Sequence, residues 1–266
     1  MQISASDFER FRQLLEQYSG ILLGENKQYL VSSRLSQFMK NNQFESLSAL
    51  NIKLAKPGND PITQQVIDLM TTNETLWFRD SYPFQFISNK LIPELKNQSQ
   101  LRILCAACSS GQEPYSLSML LSEASVLAQS EIVATDLSSQ ILEKAKSACY
   151  RHIELRRGMP EDKLRRHFSK INDDTWHVNQ KLRDKVSFKA LNLLFVPYSM
   201  GKFDIIFCRN VLIYFSQENK TRVLNGLVES LKPGGYLFLG ASESLTRKVA
   251  SVEMIRCNPG LAYRKF

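Results

Sequence analysis

A chain of 266 residues with 43% hydrophobic and 23% charged residues has the balance of a globular protein, with room for one sizeable core and a smaller accessory unit; it is neither disordered nor fibrous. Five scattered cysteines, an odd number, exclude a disulfide scaffold and fit a reducing cytoplasm. The net charge of +8 is unevenly placed: residues 1–70 balance seven basic against seven acidic residues, while residues 144–190 carry thirteen basic, six acidic and all three histidines. On charge alone that segment reads equally as a solvated basic face or as a docking surface for an acidic partner, nucleic acid or protein.

The opening MQISASDFERFRQLL has no basic stretch leading into an apolar one, and no run of about 18 uncharged apolar residues occurs, so neither export nor anchoring is expected. Phe8, Phe11, Leu14, Leu15 and Tyr18 recur at helical spacing, with Ser6 or Asp7 placed to cap the first turn. Leu30, Leu35 and Phe38, then Phe44, Leu47 and Leu50, continue in short helices, giving a small all-helical domain over residues 1–70. KPGND at 56–60 breaks the pattern, and a further helix from Pro61 to Met70 leads into a loop at TTNETLWFRD (71–80).

After residue 100 short apolar runs alternate with helical ones. LRILCAA (101–107), EIVATD (131–136), VSFKALNLL (186–194), FDIIFCRN (203–210) and GGYLFLGAS (234–242) read as strands; segments 113–124, 138–150 and 217–231 read as helices. Such alternation predicts a parallel sheet covered on both faces. VEMIRCNPGLAYRKF reads as two strands about an Asn-Pro-Gly turn, so the sheet is expected to end in an antiparallel hairpin. The 35 residues from Arg151 to Lys185 exceed a plain crossover and predict an inserted helix or two with a short β excursion. Cys105 and Cys108 form a C-x-x-C, but Ala-Ala between them extends an apolar strand and no second pair completes a zinc site.

Ligands of an open α/β sheet bind beyond the carboxyl ends of its strands. After the first strand, Gly111 lets the backbone approach a ligand before a helix N-terminus, although a lone glycine there also serves packing. Asp136 ends the second strand, where a carboxylate can accept from both hydroxyls of a ribose; the helix-capping alternative is weakened because Ser138 fits that task. Asn192 ends the third strand, placed either for an adenine edge or for a turn. After the fourth strand come Arg209, Asn210 and Tyr214, whose polar groups are costly to bury among apolar neighbours without partners.

The loop TTNETLWFRD, with CSSGQEPYS, FCRNVLIYF and LKPGGYLFLGASESL, resembles the CheR family of chemoreceptor glutamate methyltransferases, a branch of the class I S-adenosylmethionine-dependent methyltransferases. The resemblance covers essentially the whole chain. It implies a Rossmann-like α/β fold with a seven-stranded sheet ending in an antiparallel hairpin, a helical N-terminal domain, a methyltransferase domain over 71–266 and a small inserted β subdomain near 151–185. It implies S-adenosylmethionine as cofactor, S-adenosylhomocysteine as product, and the cytoplasmic domain of chemoreceptors as partner, in keeping with a cytoplasmic location. A carboxylate acceptor that arrives ionised predicts no metal and no catalytic triad, and the lack of a long heptad run predicts a monomer. Position by position, it assigns Asn73, Thr75 and Arg79 to cofactor and active site, Glu113 to the cofactor's amino end and Asp136 to the ribose. Asn192 and Leu193 fall to the adenine, Arg209 and Asn210 to the cofactor cleft, and Tyr214 to the transfer centre. Arg79 would pair the substrate carboxylate; its structural alternative is a salt bridge with Asp80 or Glu74.

Trp77 stands where the family usually has Phe, and core filling is its favoured role. Family members that grip a receptor-tail pentapeptide carry a Gly-rich loop in the insert; SKINDDTWHVNQKL has none, so independence from a pentapeptide is expected. Lys27, Arg34 and Lys40 are candidates to face acidic receptor helices, with solvated positions the plainer reading. Two other functions stand beside this one: methyl transfer to RNA or a small molecule, prompted by the basic surplus, and a non-catalytic receptor-docking adaptor on the same fold.

Overall fold

The structure is a computed structural model and describes residues 3–56, 60–195, 198–246 and 249–266. Its first helix, α1 (Ala5–Ser19), is capped by Ser4, whose hydroxyl accepts from Asp7 N at 3.1 Å. The cap therefore lies ahead of the Ser6 and Asp7 expected to provide it. Helices α2 (Gln28–Asn41), α3 (Leu47–Leu54) and α4 (Pro61–Met70) follow. Asp60 caps α4 with Pro61 in its first turn, while the expected breaker Pro57–Asn59 lies outside the described residues. The apolar stripes of the four helices meet in one core around Phe11, Leu15, Leu35, Leu50 and Val66.

A rod over residues 82–95 comes next, for which the sequence offered no reading. It runs from α5 (Tyr82–Phe86) through a π turn at Ile87–Leu91 into α6 (Ile92–Leu95). Then β1 (Leu101–Ala106), α7 (Gln112–Glu123), β2 (Ser130–Asp136) and α8 (Ser139–Ser147) open the main sheet. Helix α8 stops three residues short of the expected Tyr150, because Ala148 turns left-handed at φ +50° and Cys149–Arg151 (β3) pairs with another strand. The insert adds α9 (His152–Leu155), α10 (Glu161–His167), β4 (Phe168–Lys170), β5 (Thr175–Val178) and α11 (Gln180–Arg183). Its strands form a three-stranded antiparallel sheet ordered β3-β5-β4.

The main sheet resumes with β6 (Val186–Ala190), β7 (Phe203–Cys208), α12 (Gln217–Glu229), β8 (Leu231–Leu239) and a closing hairpin, β9 (Val252–Arg256) and β10 (Leu261–Lys265). The seven strands are ordered β6-β2-β1-β7-β8-β10-β9, parallel except for the hairpin. Ile103, Cys105, Ile205 and Phe207 point into the core under α5–α7, while Leu104, Ala106, Ile206 and Cys208 point into the core under α12. Burial on both faces is why these strands read as unbroken apolar runs. Two boundaries differ from expectation. Strand β6 ends at Ala190, and Leu193–Phe195 form a 3₁₀ turn; β8 begins at Leu231, three residues ahead of the expected Gly234, and shows a register shift against β7 between Phe203 and Ile205.

Polar contacts seat the helical unit against the sheet. Asp68 accepts from Ser139 N and Oγ at 3.1 and 3.0 Å, and Gln64 Nε2 donates to Leu137 O at 3.1 Å, while Arg34 Nη1 donates to Met70 O at 2.7 Å and to Thr71 O at 3.2 Å at the exit of α4. Arg34 is thereby spent on the connection between units, whereas Lys27 and Lys40 are exposed. Among the described residues no helix is long and apolar enough to cross a membrane.

Candidate active site

The carboxyl ends of β1, β2, β6 and β7 open into a cleft of about 1000 Å³, counting its mouth. Asn73, Thr75, Arg79, Glu113, Asp136, Leu193, Arg209, Asn210 and Tyr214 all line it. Five segments between residues 73 and 214 thus converge, as the strand-end rule anticipates.

Asp136 leaves β2 with its carboxylate nearly buried, at 7% exposure. Its Oδ2 accepts from Ser109 N at 2.8 Å and its Oδ1 from Ser138 N at 3.0 Å. Burial raises its pKa against the lowering pull of these N–H groups. The cap of α8 is Ser138, whose hydroxyl accepts from Ile141 N, so Asp136 is free of that duty. Each carboxylate oxygen keeps acceptor capacity toward the cleft.

Arg209 lies at the end of β7 with a side chain 2% exposed. Nη1 donates to Glu113 Oε2 at 2.8 Å, and Nη2 donates to Asp80 Oδ2 and to Arg79 O, both at 2.7 Å. Phe84 and Phe207 flank the guanidinium at 6.0 and 5.9 Å. Its burial opposes charge, but Glu113 and Asp80 outweigh burial and hold its pKa up. Burial pushes the Glu113 carboxyl up, with Arg209 pulling the other way. The arrangement fixes α7, the 71–80 loop and β7 around one cation.

That loop is tied further by Ser109 Oγ donating to Asn73 O at 2.7 Å and Phe78 N donating to Ser116 Oγ at 3.2 Å. Trp77 is core, 1% exposed, with Tyr150 and Phe168 edge-on at 4.8 and 5.5 Å. Arg79 is the exception to all this pairing. Glu74 is taken by Arg157 at 2.6 Å and Asp80 by Arg209, and the guanidinium reaches only Glu74 O at 3.5 Å. Among the described residues no carboxylate lies within ion-pair distance of it.

Two of the residues expected at the cofactor do not line the cleft. Gly111, at φ +92°, does not line the cleft; a Cβ there would meet Tyr150 Oη at 2.9 Å and Ala145 Cβ at 3.1 Å, so its smallness serves packing beneath α8. Asn192 sits beyond the strand end and spends its amide on protein: Nδ2 donates to Tyr18 O at 2.7 Å and Oδ1 accepts from Leu194 N at 3.0 Å. It braces the wall that Leu191 and Leu193 form. Missed altogether were Ser19 and Ile21, which reach the cleft from the helical unit. Ile21 bridges to Phe215, and Leu22 N donates to Tyr214 O at 2.7 Å.

The family pattern described as CheR methyltransferase, SAM binding domain, matches residues 73–261, and that described as CheR methyltransferase, all-alpha domain, matches residues 6–71. The chain belongs to the CheR methyltransferase family. A Pseudomonas putida protein named Chemotaxis protein methyltransferase Cher2 is 48% identical over 97% of each chain. Chemotaxis protein methyltransferase 1 of Pseudomonas aeruginosa is 47% identical over 99% of each. The Escherichia coli Chemotaxis protein methyltransferase is 34% identical over 92% of this chain and 87% of its own.

As a CheR methyltransferase the chain uses S-adenosylmethionine, and its cleft fits that molecule. Apolar Leu191, Leu193, Met70 and Ile21 suit an adenine face, and Asp136 suits two hydroxyls. Glu113 binds Arg209 through Oε2, and among the described residues its Oε1 has no hydrogen-bond donor, which leaves it for an ammonium. Arg209 Nε, buried and without an acceptor, marks unsatisfied donor capacity in the same wall.

Proposed function

We propose that this CheR methyltransferase esterifies glutamate side chains on the cytoplasmic part of chemoreceptors. The observation that carries the proposal is Arg79, a guanidinium at the cofactor cleft whose neighbouring carboxylates are both engaged elsewhere. A cation left so is matched to an incoming carboxylate, which it can take up by two parallel N–H bonds. A glutamate, with an unperturbed pKa of about 4.3, arrives ionised and needs no general base. Asp136 holds the ribose, Glu113 the amino end, and Leu193 the adenine; Asn73, Thr75, Arg209 and Asn210 frame the remainder, and Tyr214 stands at the transfer centre.

When bound, S-adenosylmethionine supplies a methyl on positive sulfur: the carboxylate oxygen–carbon bond forms as the carbon–sulfur bond breaks, the electron pair stays on sulfur and no proton moves. What Arg79 and Tyr214 contribute is alignment of the acceptor, and well-aligned reactants reach effective molarities of roughly 10⁵ M or more.

The same reading takes residues 1–70 as a helical domain, 71–266 as the methyltransferase domain, and the protein as a cytoplasmic monomer. It also makes the protein independent of a receptor-tail pentapeptide. In support, β4 and β5 are joined by a tight turn in which Asn172 Oδ1 accepts from Asp174 N and Thr175 N at 3.0 and 2.8 Å, with no glycine. Incubation with tritiated cofactor and receptor cytoplasmic fragments should place label on protein that alkali releases as methanol. Label that resists alkali, or that appears in RNA, would overturn the proposal.

A further inference from the structure

Two residues before the end of the segment LKPGGYLFLGASESL stands a glutamate, Glu243, that the proposed function leaves without a task. Glu243 does not line the cofactor cleft. Its carboxylate nevertheless collects three backbone N–H groups from the two strand ends beside the transfer centre. Oε2 accepts from Asn210 N at 2.7 Å and Gly240 N at 2.8 Å, and Oε1 accepts from Leu212 N at 2.8 Å. Asn210 is held at φ +59°, a left-handed conformation that a non-glycine residue keeps only when its surroundings impose it. Leu212 opens the 3₁₀ turn Leu212–Tyr214. At Gly240 a Cβ would meet Glu243 Oε2 at 2.6 Å and Asn210 N at 2.9 Å, so only glycine lets the end of β8 close on this carboxylate.

We infer that Glu243 is a positioning residue for methyl transfer: it staples the end of β8 to the turn that carries Asn210 and Tyr214 and sets where Tyr214 stands. The inference rests on the proposed role of Tyr214 at the transfer centre. A charged acceptor shared by three donors makes stronger bonds than a neutral one, and an ångström of misplacement near reacting atoms costs about 100-fold in rate. Glu243→Ala leaves the three N–H groups without their acceptor. Glu243→Gln keeps one oxygen for Asn210 and Gly240 but turns an NH₂ toward Leu212 N–H, and should restore part of the loss.

The test compares kcat, S-adenosylhomocysteine affinity by calorimetry, and amide exchange of peptides spanning 208–215. For Glu243→Ala the expected result is a kcat lowered about 100-fold per folded molecule, and for Glu243→Gln about 10-fold. In both, product affinity should stay within about threefold and exchange in 208–215 should rise. A purely structural role would lower the melting temperature while leaving kcat per folded molecule intact, and that result overturns the inference. A kcat loss matched step for step by lost product affinity overturns it too. If Glu243→Ala does not fold, Glu243→Gln carries the comparison. If the wild-type protein labels some acceptor other than glutamate, the same kcat ratio is read on that acceptor, so failure of the glutamate reading is told apart from failure of this one.

Discussion

Replacing Arg209 with methionine removes the cation on which three segments converge while keeping much of the side chain's length. Glu113 then remains with its side chain only 13% exposed and no ion-pair partner, Arg79 acting on it only from beyond ion-pair distance, and breaking such a buried pair costs about 3–5 kcal/mol. The Asp80 arm adds little, because Asp80 is 31% exposed and water replaces its partner at a cost of about 0–1 kcal/mol. At about 2–4 °C per kcal/mol for a domain of this size, the melting temperature should fall on the order of 10 °C. The pH dependence has a definite sign. Burial already pushes the Glu113 carboxyl up and Arg209 opposes it; without Arg209 the carboxyl rises further. The folded variant then holds a proton that the unfolded chain has released, so its stability falls as pH rises through that interval. Urea denaturation at pH 5.5 and pH 8 should show the deficit against wild type larger at pH 8, and adding Glu113→Gln should recover part of it. A deficit below about 1 kcal/mol, or one equal at both pH values, would show that the pair is solvated and refute the reasoning.

Arg79→Ala should abolish methyl transfer and spare much of the affinity for S-adenosylhomocysteine, whereas Asp136→Ala should lose cofactor binding; calorimetry and transfer assays on both would show equal losses if the roles are not separate. Gly158→Ala should destabilise by about 1–3 kcal/mol in thermal melts, because φ is +99° and the added Cβ would fall on Trp77 O. A melting temperature unchanged from wild type would mean that the insert yields there. Calorimetric titration with a receptor-tail pentapeptide should give no binding, and low-micromolar affinity would reverse the reading of the β4–β5 turn.

What the sequence disclosed depended on whether a residue's role is set locally. Asp136 and Arg209 were legible because a polar residue closing an apolar strand has few places to go, and the sheet order then fixes where it points. The apolar periods of α1 and α4 and the Asn-Pro-Gly turn of the last hairpin were legible for the same reason. Asn192 was not: its amide is claimed by Tyr18 O, 174 residues away, and no local pattern reports that. Gly111 carried a signal with two causes, and the tight approach of Tyr150 decided for packing. The pairing of Asp80 with Arg209 spans 129 residues and left Arg79 free, a result that reading either segment alone could not reach. Residues 82–95 were silent because Pro83 and Pro93 interrupt a helix pattern that a π turn carries on.

The bridge from Ile21 to Phe215 makes the amino-terminal helices part of the catalytic vessel rather than its attachment. One flank of the cleft is built from a segment that enters the fold some 200 residues before the strand ends it faces. Force applied to α1 is delivered, through the Leu22 bond, to the backbone of Tyr214 in the cleft wall. A fragment beginning at residue 71 would therefore be a dish with one side missing, holding its nucleoside open to water.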